Sequence, residues 1–159
     1  MNFQIINDKE RKKILARNIL EALPDWFGIE EAREQYIMES AQQICFGAYD
    51  EEEAVGFLCL KETGNATVEL AVMGVRKEYH HRGIGRELFM LAKKTAYEKG
   101  YAFMQVKTVK MGVYEDYDRT NLFYLSMGFK EFEVLPTLWD EWNPCQIYVM
   151  SLENKLDRG

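Results

Sequence analysis

The stretch His80-His81-Arg82-Gly83-Ile84-Gly85 decides how this chain is read. Gly83 and Gly85 stand two apart, directly before the helical pattern Arg86–Lys99. Without Cβ atoms they let the main chain curl and approach an anion, and the N–H groups and dipole of the following helix favour negative charge there. A glycine pair before a helix is also an ordinary strand-to-helix turn, so the flanks decide. Upstream, Ala66-Thr67-Val68-Glu69-Leu70-Ala71-Val72-Met73-Gly74-Val75 reads as a strand with an internal glycine, the mark of a bulge or a close backbone approach. The order is strand, basic glycine loop, helix. The loop matches neither GxxxxGK[ST] nor GxGxxG, which disfavours ATP and dinucleotide loops. Another phosphate-bearing ligand is expected.

From Val75-Arg76-Lys77-Glu78-Tyr79 through His80-His81-Arg82-Gly83-Ile84-Gly85-Arg86 the chain resembles the GNAT family of acetyl-coenzyme A dependent N-acetyltransferases. The family signature is [R/Q]-x-x-G-x-[G/A] between a bulged strand and a helix. The resemblance implies that the amides of His81, Arg82, Gly83, Ile84, Gly85 and Arg86 hold the pyrophosphate of acetyl-coenzyme A. It also implies that Met73, Gly74 and Val75 edge the pantetheine arm. His80 stands where the family usually has Arg or Gln, and His81 where many members have Gly; main-chain binding survives both changes. Downstream, Thr120-Asn121-Leu122-Phe123-Tyr124-Leu125-Ser126-Met127-Gly128-Phe129 is similar to the family's A-x-x-F-Y-x-x-x-G-F. Tyr117 occupies the place of the family's Asn, seven residues before the tyrosine.

The elements follow in an order the family fold requires. A strand at Phe3–Ile6 precedes a helix capped by Asn7 or Asp8 and halted by Pro24, then a second helix over about Ile29–Gln43. Ile44–Tyr49 and Ala54–Lys61 pair as a hairpin across the acidic turn Asp50–Glu53, and Gly64-Asn65 leads into strand 66–75. After the glycine-loop helix come strand 101–109, a loop around Met111–Asp116, a short helix at about 118–127, and strands near Phe129–Val134 and Cys145–Leu152. The fold expected is α+β: one N-acetyltransferase domain over 1–159, with about four helices. Its mixed, mostly antiparallel sheet of six to seven strands is splayed between strands 4 and 5.

Composition agrees with an ordinary soluble domain: 159 residues, 47% apolar, 29% charged. No apolar run approaches the roughly 20 residues that span a bilayer, and the start lacks a signal-peptide pattern, so a cytoplasmic protein without membrane partners is expected; that it is a bacterial enzyme is what the resemblance implies. Net charge −6 argues against nucleic acid and suits a cationic acceptor. Cys45, Cys59 and Cys145 are unpaired by spacing, and His80-His81 has no HxxxH arrangement, so neither disulfides nor a metal are expected.

Acetyl transfer to an amine needs a neutral amine, a polarised carbonyl and a protonated leaving thiolate. Glu69 precedes His80 by 80 − 69 = 11 residues, the offset at which the histone-modifying branch of the family places its catalytic Glu. It is the candidate base, a role typically worth about 10²–10⁴-fold. Read structurally, it is a carboxylate on the solvent side of a strand. Tyr124 matches the family tyrosine near the sulfur and is the candidate acid; its structural alternative is an aromatic filling the groove between helix and sheet. A strand amide near Val75 would polarise the carbonyl.

Acceptor selection is expected in two loops, Leu23–Gly28 with Trp26 and Phe27, and Leu135–Pro144 with Trp139 and Asp140. A tryptophan beside carboxylates attracts alkylammonium by cation–π contact of about 0.5–2 kcal/mol; the equal alternative is core closure or a homodimer contact. Leu138-Trp139 with Asn143-Pro144-Cys145 is similar to the ending of a bacterial subset of the family. The leading expectation is acetylation of a primary amine on a small molecule. The alternatives are acetylation of a protein N-terminus or lysine, and a non-catalytic acyl-coenzyme A sensor.

Overall fold

Seven strands make one sheet in the order β1-β2-β3-β4-β5-β7-β6. The structure, a computed structural model, describes residues 1–153; the end of the expected 1–159 domain, residues 154–159, lies outside the described residues. Two units are distinguished by their internal packing, residues 1–62 with 71–95, and residues 63–70 with 96 onward.

The first unit begins with β1 (Asn2–Ile6), α1 (Lys9–Glu21) and α2 (Glu30–Ser40). Asp8, not Asn7, caps α1, its Oδ2 accepting from Arg11 N at 2.9 Å. Leu15, Ala16, Ile19 and Leu20 recur on one face of α1 and are buried. The helix ends two residues earlier than Pro24 suggests, because Ala22 and Leu23 donate to Ile19 and Leu20 carbonyls in a tightened last turn. Arg17 braces α1 to α2 with a bidentate pair to Glu34 at 2.5 and 2.8 Å.

The hairpin of β2 (Ile44–Asp50) and β3 (Glu53–Gly64) pairs Ala48 with Gly56 and then Tyr49 with Ala54, leaving Val55 as a bulge. Cys45 and Cys59 face one another across it as free buried thiols, Sγ to Sγ 2.9 Å. The hydrogen bond from Cys59 pulls the Cys45 thiol down, and burial pushes Cys59 up.

In β4 (Thr67–Val75) burial alternates without a slip, with Val68, Leu70, Val72 and Gly74 inward. Gly74 is therefore a close-approach glycine: a Cβ there would lie 2.8 Å from Leu23 Cδ1 and 3.1 Å from Ile19 Cγ2. A 3₁₀ turn (Lys77–Tyr79) and α3 (Ile84–Glu98) follow.

In the second unit, β5 (Phe103–Val109) runs parallel to β4, with Thr67, Val68 and Glu69 opposite Phe103, Met104 and Gln105. That ladder ends at Glu69–Gln105. Then come α4 (Glu115–Ser126), β6 (Lys130–Leu135) and β7 (Cys145–Ser151), with β5–β7 and β6–β7 antiparallel. Helix α4 begins three residues before the sequence pattern suggests. Its first turn holds Glu115, Asp116 and Asp118, which complement the N-terminal dipole. Gly128 ends it at φ 105, a left-handed position, and Phe129 N donates back to Tyr124 O at 3.1 Å.

Candidate active site

In the first unit, the glycine loop is held by its own side chains. The Val55 bulge turns two carbonyls toward the end of β4. Arg76 N donates to Val55 O and Arg76 Nε to Ala54 O, both at 2.9 Å, and its guanidinium also meets Asn18. Tyr79 donates its hydroxyl to Asp50 Oδ2 at 2.8 Å, and that bond raises the Tyr79 pKa. The Arg82 guanidinium lies 4.9 Å over the Tyr79 ring. His80 Nε2 lies 2.7 Å from Val75 O; a carbonyl only accepts, so that nitrogen carries the proton.

Beyond these braces the main chain faces outward. His81 at φ 64 and Gly83 at φ 77 both take the left-handed conformation. The first backbone bond of α3 runs from Glu87 N to Gly83 O at 3.0 Å, so the amides of Ile84, Gly85 and Arg86 precede the first intrahelical donor. Ile84 is buried and anchors the loop, whereas His81, Arg82, Gly83 and Arg86 are exposed. These free helix-end amides beside exposed arginines fit a phosphate-bearing group.

Two cations of the basic loop region are engaged within the chain. Arg76 is the brace just described, and Lys77 pairs with Asp25 and lies 5.5 Å from the Trp26 ring centroid. Trp26 also meets His80 edge-on at 6.0 Å, and Trp26 and Phe27 pack against the core around α1. The alkylammonium platform expected at Trp26 thus already holds an ammonium of the chain itself.

In the second unit, strand alternation puts Glu69 on the face opposite to Val68 and Leu70. Gln105 is its register partner, and Lys107, two residues further on the same face of β5, reaches it with Nζ. The two side chains are 15% and 30% exposed. Cys145 sits nearby and buried; burial raises its thiol pKa, with Glu69 adding and Lys107 opposing. A protonated thiol is no nucleophile at neutral pH.

Tyr124 is buried on α4 within an aromatic group, ring centroids 5.8 Å from Phe123, 5.7 Å from Phe129 and 6.2 Å from Tyr148. Asn121, one turn earlier and fully buried, donates to Val109 O at 2.9 Å and Tyr117 O at 2.6 Å and accepts from the Tyr148 hydroxyl at 2.6 Å. It fixes α4 to β5 and β7, and with them the Tyr124 ring.

The acetyltransferase (GNAT) domain profile matches residues 40–131, more than half of the chain. The chain belongs to the GNAT acetyltransferase family. No curated protein sequence matches it. Among solved structures, this GNAT chain superposes on an aminoglycoside 6'-N-acetyltransferase from Enterococcus faecium with TM-score 0.74 at 18% identity, covering 98% of this chain and 99% of that one. An aminoglycoside 6'-N-acetyltransferase complexed with coenzyme A gives 0.73 at 19% identity, covering 98% and 99%. A PaiA N-acetyltransferase from Thermoplasma acidophilum, in complex with coenzyme A, gives 0.67 at 21%, covering 92% and 98%. Among the described residues no helix of this GNAT protein is long and apolar enough to cross a membrane, and no three His, Cys, Asp or Glu side chains gather as a metal site.

The remaining acceptor candidates have structural employment. Asp140 Oδ1 accepts from Trp142 N and Asn143 N at 2.8 Å, and Asn143 Nδ2 reaches both oxygens at 2.9 Å. Asn143 chiefly, with those amides, holds the Asp140 carboxyl below its ordinary pKa. The loop it locks leaves Trp139 and Trp142 47% and 70% exposed. Sequence reading missed Lys107, Asn121 and the Asp50–Tyr79 tie. Lys107 becomes visible only when the parallel register of β4 and β5 is known. Asn121 offered a signal in advance, as an amide one turn ahead of the tyrosine on the same helix.

Proposed function

We propose that this GNAT enzyme transfers the acetyl group of acetyl-coenzyme A directly to a primary amine of a small molecule, acting in the cytoplasm as one catalytic domain. The observation that carries the acceptor class is Glu69: a half-shielded carboxylate that already holds a primary alkylammonium, that of Lys107. The same chemistry would receive an external one. Under this reading the amides of His81–Arg86 hold the pyrophosphate. The outward edge of β4, with Met73, Val75 and the Gly74 main chain, follows the pantetheine arm. Glu69 takes a proton from the acceptor ammonium, the Val75 amide polarises the carbonyl, and the Tyr124 hydroxyl protonates the leaving thiolate. Two neighbours with this fold are aminoglycoside N-acetyltransferases, which supports a cationic small acceptor. Trp139, above an acidic loop, would contribute to its selection.

The test combines calorimetric titration of acetyl-coenzyme A with thiol release over a panel of primary, secondary and tertiary amines. Release with primary amines, reduced by Glu69→Gln at an unchanged cofactor dissociation constant, is expected. Binding without release for every amine would replace the enzyme reading with that of a sensor.

A further inference from the structure

Resting on the reading of Glu69 as base, we infer that the enzyme acetylates its own Lys107. The observation is the juxtaposition itself: the Nζ of Lys107 lies against the carboxylate proposed to deprotonate the acceptor. A lysine side chain ends in a primary alkylammonium, the class of acceptor that this carboxylate is proposed to serve. Parallel pairing of Glu69 with Gln105 places Lys107 on the same strand face, so the contact is set by sheet register and not by a chance surface encounter. Other paired lysines lie elsewhere: Lys13 meets Glu10 along α1, and Lys77 meets Asp25 beside Trp26. Lys107 is 30% exposed on a four-carbon stem, free enough to swing Nζ while its Cα stays in the ladder.

The step balances without further reagents. The Lys107 ammonium gives one proton to Glu69, and the freed nitrogen lone pair attacks the thioester carbonyl carbon of acetyl-coenzyme A. The C–N bond forms, the C–S bond breaks, and the second nitrogen proton goes to the departing sulfur. The products are Nε-acetyl-Lys107, the free thiol of coenzyme A and the proton on Glu69, which passes to solvent. Until that transfer, an external ammonium competes with Lys107 for the Glu69 carboxylate. Afterwards the lysine no longer carries charge.

The full-length protein is incubated with acetyl-coenzyme A and no amine, followed by intact mass and peptide mapping, with thiol release over the amine panel run in parallel. Acetylation of Lys107 is expected to outrun that of the exposed Lys99 and Lys110 by at least about 10²-fold, the low end of what a positioned base contributes. Its rate constant should be independent of protein concentration and be lost in Glu69→Gln. Lys107→Arg, checked for folding by its thermal midpoint and cofactor binding, should lack the modification. Equal slow labelling of Lys107, Lys99 and Lys110, unaffected by Glu69→Gln, overturns the inference as chemical acetylation. Thiol release with amines but an unmodified Lys107 overturns it while the proposed function stands. Absence of both removes the function and the inference together.

Discussion

The glycine loop and the group around Glu69 and Tyr124 use their side chains in opposite ways. In the loop, charged and aromatic side chains turn back into the protein: Arg76 onto Ala54, Lys77 onto Asp25, His80 onto Val75, Tyr79 onto Asp50. What remains outward is main chain, shaped by left-handed residues and a helix start, with the exposed Arg82 and Arg86 beside it. At Glu69 and Tyr124 the main chain is engaged in sheet and helix, and under the proposed function the chemistry is carried by their side chains. Lys107 meets Glu69, and Asn121, which accepts from the Tyr148 hydroxyl, holds the helix that carries Tyr124. One region is proposed to bind through main chain that side chains fix, and the other to react through side chains, held by strand register at Glu69 and by the Asn121 amide at Tyr124.

The sharpest break of this contrast is Gly85→Glu. A carboxylate in the first turn of α3 is favourable to the helix, so the thermal midpoint should hold. It puts negative charge where pyrophosphate is proposed to lie. Like-charge juxtaposition costs several kcal/mol, and about 1.4 kcal/mol is tenfold. Calorimetry should therefore show coenzyme A affinity reduced by at least about 10²-fold. Undiminished affinity would mean that the loop amides hold something else.

Tyr124→Phe probes the other region with a smaller expected loss. The ring stays among Phe123, Phe129 and Tyr148, so stability and the KM for acetyl-coenzyme A should change little. Loss of the hydroxyl should lower kcat by about 10²-fold, the lower range for a proton donor. An unchanged kcat and pH profile would reduce Tyr124 to a packing residue.

How much could be read in the sequence follows the same division. Gly83 and Gly128 announce themselves, because a left-handed backbone restricts the residue type at one position. The succession of strands along the chain followed from alternation and turns, whereas the place of β7 between β5 and β6 in the sheet did not. The partners of Trp26 and Asp140 within the chain were not legible, because polar and aromatic side chains do not reveal in sequence which neighbour they meet. Asp140 spends its oxygens on Asn143 and Trp142, residues two and three away. Lys107 was missed for the complementary reason, since its partner Glu69 is 38 residues away in sequence and adjacent only in the sheet.

His81 offers the finest test, with the smallest effect. At φ 64 it occupies a conformation that costs a residue with Cβ about 1–2 kcal/mol. Glycine removes that cost but loosens the unfolded chain by about 0.5–1 kcal/mol. His81→Gly should therefore gain up to about 1 kcal/mol of stability in urea unfolding. If the loop binds by main chain alone, affinity for coenzyme A should stay within about twofold, a difference below 0.5 kcal/mol. A gain in stability accompanied by a large loss of affinity would show that the imidazole touches the ligand. The strained histidine would then be a binding residue in its own right, and the glycine loop would resemble the Glu69 region more than its geometry suggests.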